Sequence, residues 1–155
     1  MSGKINFRAL VIEATISLPE LDILKYRGVE AVQSENESLY VDIGATSERL
    51  FPSVGSIAGR ALFMLRINNF SAQTVSVVFN GELLTNHIGF ATNNSSVGII
   101  IEDIFGNRVI PGERYEYPLQ QGENALVFTC GLISVTGKIL PGEVEALSEF
   151  EFAFK

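Results

Sequence analysis

The chain holds 155 residues with 46% hydrophobic content and a net charge of −7, which is enough apolar material for one cored domain and too much for a disordered chain. Its 11 Lys and Arg are scattered among 18 Asp and Glu, so no basic stripe exists to displace counterions from phosphates; nucleic-acid binding is excluded and the acidity reads as a solvated surface. No apolar run approaches the ~20 residues of a membrane-crossing helix, which argues against membrane insertion.

In chain order the pattern is one of strands. Ile5 to Ile12 mixes alternation with a denser apolar end, Ser38 to Ile43 alternates, and Ala61 to Ile67 reads as a core strand. Val75 to Phe79, Val97 to Ile101 and Ala125 to Ile133 continue the series. The turn signals between them are Asn80-Gly81, Asn93-Asn94-Ser95-Ser96, Phe105-Gly106-Asn107, Pro111-Gly112, Gln121-Gly122 and Pro141-Gly142. Ser148 to Lys155 alternates most cleanly, placing Phe150, Phe152 and Phe154 on one face and Glu149 and Glu151 on the other. Leu18 to Asn36 is the exception: Leu21, Leu24 and Val32 fit a helical face after Pro19, and a long connection fits equally. No repeat or composition shift marks a second domain, so residues 1–155 read as a single all-β domain, an antiparallel sandwich.

Chemistry-bearing residues are scarce. His87 lies in a polar loop-like stretch without cysteine or paired carboxylate beside it, so it reads as a surface residue rather than a metal ligand. Cys130 is in phase with Leu126, Phe128 and Leu132 and should point inward as a small hydrophobe, without the exposure and basic neighbour of a reactive thiol. Glu102 and Asp103 are adjacent on a strand and point to opposite faces, so they do not form a general acid-base pair. No nucleophile-elbow, zinc-protease or phosphate-loop pattern is present, and neither a catalytic residue nor a cofactor is expected. The triplets beginning at Asn36, Asn69 and Asn94 match a glycosylation pattern that is frequent by chance. Met1 to Lys4 does not resemble a secretory signal, which leaves a cytosolic protein and a mature secreted fragment behind an added start Met both open.

Several segments, taken in order, resemble subunits of bacterial pili assembled by the chaperone-usher pathway. They are Gly3-Lys4-Ile5-Asn6-Phe7-Arg8 followed by Val11-Ile12-Glu13-Ala14; Val97-Gly98-Ile99-Ile100-Ile101-Glu102-Asp103 with Gly106-Asn107; Tyr117-Pro118-Leu119 before Gly122-Glu123-Asn124; then Phe128-Thr129 and Pro141-Gly142. The ending carries most weight, with Phe154 as penultimate aromatic and Gly142 fourteenth from the end, since 155 − 142 + 1 = 14.

The resemblance implies an incomplete immunoglobulin-like antiparallel β-sandwich lacking its last strand, completed by a donor strand from another chain. It implies a groove between the first strand and the C-terminal one, with Ile5, Phe7 and Val11 on one wall and Phe150, Phe152 and Phe154 on the other. The partners implied are a periplasmic chaperone, which recognises Gly142, Phe154 and the Lys155 carboxylate, the outer-membrane usher, and neighbouring subunits. The location implied is the periplasm during assembly and then the extracellular pilus. Such subunits carry a donor segment before their first strand, and Met1 to Lys4 is too short to supply one; the expectation is that this segment and the signal peptide are absent. Ile16 and Phe70 stand where the family commonly has a disulfide, Leu18 to Asn36 is longer than usual, and Phe154 replaces a common Tyr. A secreted sandwich that binds sugar or protein is the alternative, and an enzyme a distant third, because a fold alone fixes no function.

Overall fold

A computed structural model of the chain describes residues 2–13, 27–31, 37–69 and 71–155. Among them ten strands occur: β1 (Ser2–Ile12), β2 (Arg27–Ala31), β3 (Glu37–Ser47), β4 (Ile57–Asn69), β5 (Thr74–Asn80), β6 (Phe90–Ala91), β7 (Val97–Asp103), β8 (Arg114–Pro118), β9 (Gly122–Ser134) and β10 (Gly142–Phe154). One short 3-10 turn, Glu48–Leu50, follows β3 and is capped by the Ser47 hydroxyl, which accepts from the Arg49 amide at 3.3 Å. Two five-stranded sheets result, in the orders β3-β1-β10-β5-β8 and β2-β4-β9-β7-β6.

The sheets face each other as an immunoglobulin-like sandwich because their strands alternate. β10 buries Val144, Ser148, Phe150 and Phe152 and exposes the glutamates between them, and β1 buries Ile5, Phe7, Ala9 and Val11. A chain of rings crosses the core. Phe7 of β1 meets Phe63 of β4 edge-on at 5.9 Å, Phe63 stacks on Phe128 of β9 at 5.4 Å, and Phe128 receives Phe79 of β5 edge-on at 5.1 Å. Two layers are thereby stitched by aromatic contacts of favourable geometry. Glycines at positive φ open two of the turns the sequence marks, Gly106 at 82° and Gly112 at 85°.

Asp103, the acidic residue of the β7 motif, organises one end of the sandwich. Its Oδ1 accepts from the amides of Phe105 at 3.0 Å and Asn107 at 2.9 Å, while Oδ2 accepts from Asn107 Nδ2 at 3.2 Å and the Tyr117 hydroxyl at 3.0 Å. Its neighbour Glu102 points the other way, toward Arg60 at 3.6 Å and Arg108 at 3.7 Å. Of the Leu18 to Asn36 segment only 27–31 is described, and it is a strand parallel to β4 rather than a helix. The rest of that segment, with Ile16 and Phe70, lies outside the described residues.

Candidate functional site

β1 lies inside the first sheet, second from its edge, between β3 and β10. β1 runs antiparallel to β10 from Ser2↔Glu151 to Val11↔Gly142, and parallel to β3 from Gly3↔Glu37 to Ile12↔Ser47. Ile5 and Phe7 fall opposite Leu39 and Val41 of β3, and all four are buried. Beyond them β3 bulges. Arg8 pairs with Asp42 but Ala9 with Gly44, so Ile43 is the extra residue, and Gly44 takes φ 86° with its amide held by Asp42 Oδ1 at 2.9 Å. The bulge lets Ile43 point into the core while β3 keeps pairing with β1 as far as Ile12.

This arrangement corrects one expectation. An open gap between the first strand and the C-terminal strand does not exist, because β1 and β10 share a continuous ladder of ten residue pairs. Ile5, Phe7 and Val11 are not a wall of a groove; they are the inward face of the strand that lies between β3 and β10. The wall facing β10 across β1 is β3, with Leu39, Val41 and Ile43. The physical reason is burial: without β1 the facing edges of β3 and β10 would leave main-chain groups unpaired and apolar side chains uncovered, and a strand between them satisfies both needs at once. β1 thus has a parallel neighbour on one side and an antiparallel one on the other, as β4 does between β2 and β9 in the facing sheet.

Phe150 and Phe152 are buried within the sandwich, with ring centroids 5.3 Å apart, and Phe154 continues the row at 6.3 Å but is 42% exposed. Beyond Glu151 the β1-side edge of β10 extends past the Ser2 pair, while its other edge is paired with β5 from Glu149↔Asn80 to Phe154↔Val75. Nearer the start of β10, Asn93 covers that other edge. Its amide N donates to the Glu145 carbonyl at 3.1 Å, its Nδ2 donates to the Glu143 carbonyl at 3.2 Å, and its Oδ1 accepts from the Glu145 amide at 2.7 Å. One residue, through its main-chain amide and its side chain, thus takes a strand's place along that stretch of the edge. Gly142, at φ 140°, begins β10 opposite Val11. The Lys155 amide donates to the Thr74 carbonyl at 3.0 Å, and its Nζ reaches Glu116 at 3.2 Å.

Sequence reasoning missed Ala9, Leu39, Val41, Ile43 and Asn93. Ser38 to Ile43 alternates as a strand does, but no residue pattern says which neighbour it takes. Asn93 lies inside the turn signal Asn93-Asn94-Ser95-Ser96, whose polar side chains mark a chain reversal and carry no sign of a distant partner. Elsewhere the chemistry is quiet: Cys130 is buried in the core, where burial pushes its thiol up to about 12. Among the described residues no group of three or more His, Cys, Asp or Glu side chains comes together as a metal site.

The fold is shared with known structures. A Burkholderia pseudomallei antigen and type I fimbria protein superposes with TM-score 0.74 at 20% identity, over 99% of this chain and 98% of that one. The P pilus rod subunit PapA gives 0.64 at 20% identity, covering 74% of this chain and 91% of its own. The chain has the pilus-subunit fold. A chaperone-usher pilus studied for rod uncoiling gives the same score, 0.64, at 19% identity over 74% of this chain and 80% of that one. No family model matches the chain, and no curated protein matches it. Pilus-subunit likeness therefore rests on shape, with a segment order that agrees with it.

Proposed function

We propose that this chain is a structural subunit of a chaperone-usher pilus, and that β1 is its exchangeable strand. The observation that carries the reading is the position of β1. It is the N-terminal strand of the described chain, and it fills the place between β3 and β10 with ladders on both edges. The pilus-subunit fold and the ordered resemblance of Val97 to Gly142 support the same conclusion.

Energetics make the exchange physically sensible. Ile5, Phe7 and Val11 are 1% exposed or less, and burying three such side chains contributes about 5 to 9 kcal/mol before ordering costs. An ordinary domain has about 5 to 15 kcal/mol of net stability. A sandwich without β1 would therefore be close to unfolding, and any strand that fills the slot would stabilise it by β-augmentation: main-chain bonds supply affinity and inward side chains supply register. In the proposed cycle a periplasmic chaperone fills the slot first, contacting β10 near Phe154, Lys155 and Gly142. At the outer-membrane usher the β1-type strand of another subunit then replaces it. No covalent bond changes, no cofactor takes part and no catalytic role is proposed. The subunit is assembled in the periplasm and ends in the extracellular fibre; among the described residues no helix is long and apolar enough to cross a membrane.

The test is concentration-dependent assembly. Refolded at rising concentration, the chain should move from closed monomers to a ladder of non-covalent oligomers, and co-expression with a pilus chaperone should yield a one-to-one complex instead. A chain that remains monomeric at every concentration and ignores the chaperone is a self-sufficient sandwich, and the reading fails.

A further inference from the structure

The turn between β6 and β7 grips the approach to β10 and its first residues by their main chain. Asn93 holds the Glu143 carbonyl and both main-chain groups of Glu145. Further along, the same turn holds Leu140 from both sides: Asn94 Nδ2 donates to the Leu140 carbonyl at 2.9 Å, and the Leu140 amide donates to the Ser96 hydroxyl at 2.9 Å. The turn is braced from within. Asn94 Oδ1 accepts from the Ser96 amide at 3.0 Å and from the Ser96 hydroxyl at 2.6 Å, and the Thr92 hydroxyl accepts from the Asn94 amide at 3.0 Å. Ser96 is 1% exposed, its carbonyl accepts from the Val135 amide at 2.9 Å, and β7 begins at the next residue. These anchors lie in the turn, in β7 and at the end of β9, and none of them is a residue of β1.

Strand geometry separates the two edges of β10. Successive residues of a strand turn their amide and carbonyl to opposite sides. The odd-numbered residues of β10 face β5, as Lys155 just beyond it shows by exchanging bonds of 3.0 and 3.2 Å with Thr74. Glu145 accordingly faces Asn93, while Val144 and Ala146 face Ala9 and Phe7 of β1. β5 pairs with β10 from Glu149 onward, so the earlier stretch has β1 along one edge and the turn along the other. The turn's hold needs nothing from β1.

We propose that this turn is a clamp that keeps the start of β10 in strand form while the slot beside it is empty, with Asn93 as its positioning residue. This rests on the reading of β1 as an exchangeable strand and deepens it. The later half of β10 is held by β5 and the earlier half by the clamp, so a strand entering the slot meets one continuous edge whose main-chain groups are already aligned. Only the entering strand then has to be ordered, which makes its seating faster and tighter than on an edge that must fold with it.

Residue-resolved hydrogen exchange on the full-length chain tests it, because neighbouring amides of β10 report on opposite edges. An opening that releases β1 frees the Val144 and Ala146 amides and leaves that of Glu145 bonded to Asn93. Glu145 should therefore be about tenfold better protected than those two neighbours, with the amides of β9 protected at least as well as Glu145. Asn93→Ala should bring Glu145 level with Val144 and Ala146 while their own protection stays unchanged. Asn93→Asp keeps the accepting oxygen and should preserve the protection of Glu145. If Glu145 exchanges in step with Val144 and Ala146 in the wild-type chain while β9 is slower, β1 leaves and the start of β10 goes with it; the clamp is then overturned and the exchangeable strand stands. If Asn93→Ala leaves Glu145 protected, or lowers Val144 and Ala146 as far as Glu145, or if Asn93→Asp loses the protection, the role given to Asn93 is overturned. If β1, β10 and β9 all exchange together, the strand never leaves alone, and the exchange reading falls first and takes the clamp with it.

Discussion

Truncating Phe7 to alanine measures how firmly β1 is seated. The ring lies at the middle of β1, opposite Ala146 on β10 and Val41 on β3, and is 1% exposed. It meets Phe63 of the facing sheet edge-on at 5.9 Å. Removing a buried phenylalanine ring costs about 3 to 5 kcal/mol, of which the aromatic pair supplies about 0.5 to 1.5. With a urea slope of about 1 to 3 kcal/mol/M, the unfolding midpoint of Phe7→Ala should fall by about 2 M. Leu10→Ala is the matched control on the same strand: Leu10 faces outward and is 41% exposed, and its truncation should cost less than about 1 kcal/mol. Equilibrium unfolding followed by far-UV circular dichroism at low protein concentration, where exchange between chains is negligible, supplies both numbers. If Phe7→Ala loses no more than Leu10→Ala, β1 rests on the sheet without filling it, and the energetic case for strand exchange is refuted.

Asp103→Ala removes four hydrogen bonds from a residue 6% exposed and orphans the amides of Phe105 and Asn107; it should cost about 3 kcal/mol and lower the melting temperature by about 6 to 12 °C in a thermal scan. Tyr117 is held neutral above its usual 10 by burial first, then by its hydrogen bond to Asp103 and that carboxylate's charge. Its contribution to stability is whole below about pH 10, where the unfolded phenol is neutral too, and is lost as pH rises toward the folded value. Stability measured from pH 9 to 12 should therefore fall, and Tyr117→Phe should flatten that fall; an unchanged alkaline limb in the variant contradicts the assignment. Cys130, 1% exposed with its thiol pushed up to about 12, should react with a thiol reagent at neutral pH only as fast as the protein unfolds. Rapid labelling under native conditions would place it outside the core.

The sequence made the strands visible wherever side-chain alternation or a dense apolar run coincided with burial, as in β4, β5, β7, β9 and β10. It hid β8, whose Arg114-Tyr115-Glu116-Tyr117-Pro118 buries only Tyr117 and pairs with β5 alone, and β6, two residues long. The site was half legible for a definite reason. Ile5, Phe7 and Val11 face inward whether β1 is the wall of a groove or the strand inside it, because period-two alternation fixes a face and says nothing about which strands bond to the two edges. That information lives in main-chain pairing between residues distant in sequence, such as Ile5 with Leu39 and with Ser148. Asn93 shows a further limit, since a turn residue that bonds to the edge of a strand fifty residues away gives no local sign of it.

The central claim is that residues of β1 fill a slot the remaining chain cannot close by itself. A chain lacking residues 2–13, titrated calorimetrically with a synthetic peptide of those residues, tests it most directly. One peptide should bind per chain, and a cooperative thermal transition should return as it binds. A shortened chain that already melts cooperatively at the full-length temperature, and takes up no peptide, would contradict the account.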